Sequence, residues 1–189
     1  MKKKVNRFKF KKLPLKGLIK IKKLNLSDNR GNFTRLFCSK EFKSTGWGKS
    51  IAQINHTYTL HKGTVRGLHY QKPPHSEIRI VNCIKGTIWD VVVDLRKNSP
   101  TFLKWHSEII SEDNNCSLLI PEGFAHGFQT LEENTEILYL VTKEFSQEHD
   151  DGINPLDPSI YKPSLLQSVR YSKSSSQTPF SIISQLIKP

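Results

Sequence analysis

The sequence predicts an all-β protein, a sandwich or barrel with only minor helices, on three observations. Apolar and β-branched residues recur in short alternating runs, turn-forming residues punctuate the chain at short intervals, and no long stretch carries the helical period. In chain order, "GLIKIKKLNL" alternates lysines with apolar residues, and "SIAQINHTYTL" is β-branched and aromatic. "IRIVNCIKGTIWDVVVDLR" reads as two strands broken at "KG", the second apolar through its centre as a sandwich-core strand requires. "TFLKWHSEII", "NCSLLIP" and "TEILYLVTKEF" complete the series. "SDNRGN", "HKG", "KPPHS", "RKNSP", "SEDNN", "PEG" and "EENT" supply the turns between them. The closing "FSIISQLIKP" suits a short helix or a strand. The organisation expected is a basic arm over 1–16, a β domain over 17–160 and a C-terminal extension over 161–189 packing on it.

A chain of 189 residues is long enough to bury a substantial core as one domain. Cys38, Cys83 and Cys116 are odd in number and lack C-x-x-C spacing, so they read as buried thiols rather than a disulfide framework or a zinc site. No run approaches the ~18 apolar residues of a membrane span, and lysines interrupt any signal-peptide core. A cytoplasmic protein without membrane contact is expected. The net charge of +12 is concentrated in "MKKKVNRFKFKKLPLKGLIKIKK", unaccompanied by a recognition helix or an RNA-binding motif, so nucleic acid is not the expected partner. A basic protein with a pocket also suits a small anionic substrate, because phosphates need cationic partners.

The stretch "GTVRGLHYQKPPHSEIRIVNCIKG", from Gly63 to Gly86, has the spacing of a metal-binding β-barrel without its ligands. After His69, Gln71 stands where a second histidine would be, and Arg79, seven residues before Gly86, stands where the carboxylate would be. A guanidinium cannot ligate a cation, so neither a metal nor another cofactor is expected. In "PEGFAHGFQT" the proline, glycine and histidine spacing sets His126 opposite His69 inside a double-stranded jelly roll.

With "DNRGNF", "QINHT", "VRGLHYQ", "WDVVVDLRKNSPTF", "PEGFAHGF" and "GINPLDPSI" in that order, the chain from about Gly17 to about Pro158 resembles the dTDP-4-dehydrorhamnose 3,5-epimerase family, a metal-independent branch of the cupins. The resemblance implies a double-stranded β-helix, a homodimer formed by exchange of N-terminal strands, and epimerisation of a nucleotide-diphosphate-linked 4-keto-6-deoxysugar in polysaccharide biosynthesis. A ketone at C4 acidifies the hydrogens on C3 and C5. Inversion then needs a base on one face, a cation or donor at the enolate oxygen and an acid on the other face. The resemblance makes His69 the base and sets Arg79 where a lysine usually meets the 4-keto oxygen, alike in charge and different in geometry. It makes Arg30 and Arg66 contacts to the nucleotide and its diphosphate, Gln53 and Asn55 polar pocket residues, Phe33 a ring against the ligand, and His126 and Asp90 polar residues of the barrel interior. Asp90 also reads as a buried structural acceptor, and the alternatives for His126 and Arg66 are a satisfied core histidine and a surface charge.

Three positions depart from the family pattern. Phe145 replaces the tyrosine acid, Ser174 in "YSKSSSQ" replaces the aspartate that orients the base, and Arg35 replaces a glutamate near the nucleotide. A positioned acid or base contributes about 10²–10⁴ in rate. Two functions are therefore weighed, an active epimerase and a catalytically reduced jelly roll that binds nucleotide sugars. Phe145 favours the second, and "RGLHYQ" with Arg79 favours the first.

Overall fold

In the computed structural model, which describes residues 6–154 and 170–171, the alternating runs form two antiparallel sheets packed face to face as a jelly roll. One sheet has the order β1 (Phe8–Lys12), β2 (Ile19–Lys23), β10 (Cys116–Ile120), β7 (Arg79–Lys85), β12 (Thr135–Val141), β5 (Gln53–Thr59). The other has the order β13 (Asp150–Gly152), β6 (Thr64–Gln71), β11 (Phe124–Thr130), β8 (Thr87–Asp94), β9 (Trp105–Ser111), with β14 (Arg170–Tyr171) joined parallel to β6. A separate hairpin pairs β3 (Asn25–Asp28) with β4 (Gly31–Thr34). Helix is confined to α1 (Ser39–Phe42) and the 3₁₀ turn Lys43–Thr45 among the described residues, and no helix there is long and apolar enough to cross a membrane.

Strand alternation divides the apolar residues between the layers. Val81, Cys83 and Ile137 of the first sheet meet Ile88, Val92 and Ile110 of the second in the central core. Ile80 and Leu140, one residue out of phase, point to the opposite face of the first sheet and pack with Phe8, Phe42 and Trp47. Central strands are thus covered on both sides, which explains why β10 is buried at every position, its one hydroxyl residue, Ser117, included. Phe42 of α1 is fully buried, and its ring meets those of Phe8 and Phe10 edge-to-face at 4.9 and 5.2 Å. Those contacts hold residues 8–12 of the basic arm as the edge strand of the sheet, with Lys11 and Lys12 exposed. Charge along an edge strand opposes pairing with another chain.

On the same outer face lies a buried polar triad. Lys23 Nζ donates to Ser117 Oγ at 2.6 Å and to Asn82 Oδ1 at 3.1 Å, and Ser117 Oγ donates to Asn82 Oδ1 at 2.5 Å. Burial pulls the Lys23 ammonium down to about 8. All three cysteines are free thiols, Cys83 and Cys116 buried and Cys38 half-buried.

One irregularity of register bears directly on the site. β11 pairs His126 with His69 and Phe128 with Arg66, so three steps of β6 face two of β11. The extra residue is a β-bulge at Gly67 and Leu68, and Gly67 has a φ of +112°, in the region that favours glycine. Residues three apart on a regular strand point to opposite faces. The bulge corrects the parity, so Arg66 and His69 both face the inner cavity while Leu68 packs outside with Val93 and Ala125. The close strand approach requires two glycines. A Cβ on Gly67 would lie 2.5 Å from Gly127 Cα, and one on Gly127 would lie 2.6 Å from the Arg66 carbonyl oxygen.

Candidate active site

The inner face of β6, β11 and β7 brings together His69, His126 and Arg79. His69 and His126 are directly opposed across the β6–β11 pair. Arg79 Nη1 approaches His126 Nδ1 at 3.0 Å, and His126 Nε2 lies 2.8 Å from Asp90 Oδ2. A guanidinium only donates, so Nδ1 accepts and the ring proton sits on Nε2, donated to Asp90. Asp90 is fully buried on β8, and its second oxygen, Oδ1, has no hydrogen-bond partner among the described residues. Of the two sequence readings of His126, both describe it. It is a hydrogen-bonded interior histidine, and it also lines an open cleft together with Arg79, Glu77, Tyr70, Gln71 and Phe124. His69 is half-buried beside this cleft's wall and does not itself line it.

Arg79 is fixed on three sides. Nε donates to Glu77 Oε1 at 3.1 Å, Nη2 pairs with the same carboxylate, and the guanidinium carbon sits 5.6 Å from the centre of the Tyr139 ring. One N–H on each Nη nitrogen remains for a ligand. Gln71, buried where a metal-binding barrel would carry a histidine, ties the surrounding loops instead. Its Oε1 accepts from Ser146 N–H at 2.6 Å, and its Nε2 is shared among the His75 carbonyl, the Glu144 carbonyl and Glu77 Oε2 at 3.1–3.2 Å. Among the described residues no group of three or more histidine, cysteine or acidic side chains is arranged to hold a metal ion.

Burial, together with the charge of Arg79, lowers the His69 imidazole below its ordinary 6.5, while Asp150 opposes the shift. The ring is thereby neutral and able to accept a proton at neutral pH. Asp150 is exposed at the end of β13, and the partial desolvation it does have raises its carboxyl, with His69 and Arg79 pulling it back down.

The other sequence-predicted positions divide into two groups. Gln53 and Asn55 lie on β5 on the side of Thr59, whose hydroxyl accepts from Arg66 Nε at 3.1 Å, so Arg66 is half-buried and anchored on the inner face. Gln53 and Arg79 flank Val141 in one register row, and Asn55 pairs with Tyr139 in the next. Arg30 and Phe33 are not brought to this cavity. They sit on the separate β3–β4 hairpin, Arg30 paired with Asp28 and Phe33 57% exposed. The Phe145 N–H donates to Gln53 Oε1 at 3.0 Å, and the residue is 62% exposed. Arg35 pairs with Glu41 at 3.4 Å, and Ser174 lies outside the described residues. Sequence reasoning missed Asp150 and Glu77. "HDDGI" served there only as a spacing landmark for Gly152, and Glu77 is two residues from Arg79, a separation that suggests pairing on one strand face.

Residues 12–177 match the family model described as dTDP-4-dehydrorhamnose 3,5-epimerase. A dTDP-4-dehydrorhamnose 3,5-epimerase of Sinorhizobium fredii is 39% identical over 170 residues, which cover 89% of this chain and 87% of that protein. Among solved structures, the dTDP-4-dehydrorhamnose 3,5-epimerase of Bacillus anthracis with TDP and PPi bound gives a TM-score of 0.83 at 37% identity, covering 87% of this chain and 94% of the other. The dTDP-6-deoxy-D-glucose-3,5-epimerase of Legionella pneumophila in complex with dTDP-4-keto-L-rhamnose gives 0.83 at 32% identity, covering 88% of each.

Proposed function

Because the chain belongs to the dTDP-4-dehydrorhamnose 3,5-epimerase family, we propose that it epimerises a nucleotide-diphosphate-linked 4-keto-6-deoxysugar with His69 as base and Arg79 as the cation at the enolate oxygen. The observation that carries this reading is the shared inner face of His69, His126 and Arg79, with the imidazole held below its ordinary value. His69 takes a proton from C3 or C5. The C–H electron pair enters the enolate, and negative charge collects on the C4 oxygen. A fixed guanidinium stabilises that oxygen as it develops charge, and it needs no reorganisation because Glu77, His126 and Tyr139 already hold it. A proton returned to the opposite face of the carbon inverts the centre. Phe145 brings no proton to that face, so we assign the return step to water, and inversion is slower than proton abstraction.

Arg66, anchored by Thr59, is the diphosphate contact in this reading, where paired N–H groups suit phosphate oxygens. Arg30 and Phe33 lie apart from this cavity on the β3–β4 hairpin, so in this reading they contact the nucleotide in the partner protomer's site of a homodimer. The assembly is a homodimer, supported by the exposed apolar side chains of that hairpin and of the edge strand β5. A cytoplasmic location suits the three free thiols.

The test is incubation with dTDP-4-keto-6-deoxyglucose in heavy water. Deuterium is expected at C3 or C5 and is lost in His69→Ala. A His69→Ala protein that exchanges as fast as the parent would show that the base lies elsewhere. Tight binding with no exchange in the parent would identify instead a nucleotide-sugar-binding protein without turnover.

A further inference from the structure

The aspartate that the family resemblance assigns to orienting the base is Ser174 in this chain. A different carboxylate faces His69. β13 pairs Gly152 with His69 and Asp150 with Gln71. Opposed residues of an antiparallel pair point to one face, as do residues two apart on a strand, so Asp150, Gln71 and His69 share the inner face. Asp150 is the diagonal neighbour of His69, at roughly 7–8 Å between Cα atoms and less between the side chains. Its neighbour Asp151, of opposite parity, is occupied elsewhere, bound by Lys72 at 2.6 Å and by the Tyr70 hydroxyl at 3.3 Å. The Asp150 backbone is also fixed. Its N–H donates to the Ser146 carbonyl at 2.9 Å, and Ser146 is in turn held by Gln71.

We propose that Asp150 is the positioning residue for His69, its carboxylate stabilising the imidazolium that forms when the ring takes a proton from substrate. This rests on His69 being the base. Asp150 and His69 are each other's largest charge influence. The other groups facing His69 are His126 from β11, with Asp90 behind it on β8, and Arg79 from β7, itself stacked on Tyr139 of β12 and paired with Glu77. Among these, Asp150 is the acid not already committed to Arg79 or His126, and it acts through charge across the strand pair.

The test is an NMR pH titration of the His69 ring in the parent, Asp150→Asn, Asp150→Glu and Asp151→Asn proteins, alongside deuterium exchange on dTDP-4-keto-6-deoxyglucose. Asp150→Asn is expected to lower the His69 midpoint and to slow exchange about tenfold or more at unchanged KM. Asp150→Glu is expected to restore both, and Asp151→Asn to leave the midpoint in place. An unmoved midpoint in Asp150→Asn overturns the inference, as does an equal shift in Asp151→Asn. The titration needs no turnover, so a parent that fails to exchange counts against the epimerase reading alone.

Discussion

In the proposed reaction, Phe145 is the residue that limits the proton-return step. Its backbone is tethered to Gln53 and the residue is mostly exposed, so a hydroxyl can be added there without repacking a core. In Phe145→Tyr, inversion at C3 or C5, read from ring-proton couplings, is expected to rise about 10²-fold because a positioned acid replaces water. Deuterium exchange at the same carbon should change little, since proton abstraction by His69 is untouched. An inversion rate equal to the parent's would mean that the ring at 145 does not reach the reacting face. That His69 and His126 would face one another was legible because each sits in a contiguous motif, "RGLHYQ" and "PEGFAHGF", while Arg79 was singled out by its spacing of seven residues before Gly86. Glu77 and Asp90, which fix Arg79 and His126, show their use only once hydrogen bonds are drawn.

Among the strands, β6 and β11 are the precision element. Gly127 gives β11 its close approach to β6, and Gly127→Ala drives a methyl into the Arg66 carbonyl and the Gly67 backbone. Overpacking of this kind costs about 1–3 kcal/mol. Urea denaturation is expected to show that loss, with a disproportionate fall in exchange activity because His126 and His69 separate. Unchanged stability and activity would mean the two backbones part without consequence. The Lys23 triad makes a second element-level prediction. With a folded value of about 8 against an ordinary 10.5, the native lysine holds fewer protons than the unfolded one across that interval. Its contribution to stability therefore rises with pH from 8 to 10.5, by about 3 kcal/mol. Burial holds Cys83 up at about 12, which acts in the opposite sense above 9, so the signal is the difference between the parent and Lys23→Met, where the cysteine cancels. That difference is expected to grow in the parent's favour across the window. A flat difference would mean Lys23 is solvated in the folded state.

Across the whole molecule, large apolar side chains remain uncovered. Ile54 and Leu60 on or beside the edge strand β5 are 60% and 52% exposed, and Phe33 and Leu26 of the hairpin are 57% and 40% exposed. An exposed edge strand with such residues is an invitation to pairing. Sedimentation is expected to give a dimer for the parent and a monomer for the double substitution Ile54→Asp, Leu60→Asp. A monomeric parent would remove the assembly from the proposal.

Period-two alternation and turn residues are properties of neighbouring residues, so the all-β class and the strands β2, β5, β7, β8, β9, β10 and β12 were legible from the chain alone, whereas β1, β6, β11 and β13 were not. Tertiary structure alone decided that Phe8–Lys12 closes a sheet edge, that the bulge at Gly67 turns Arg66 and His69 to one face, and that Asp150 comes to lie diagonal to His69. The reason is that alternation fixes which residues share a face only within an unbroken strand. An inserted residue reverses that parity, and the register between strands distant in sequence is set by how the whole chain closes.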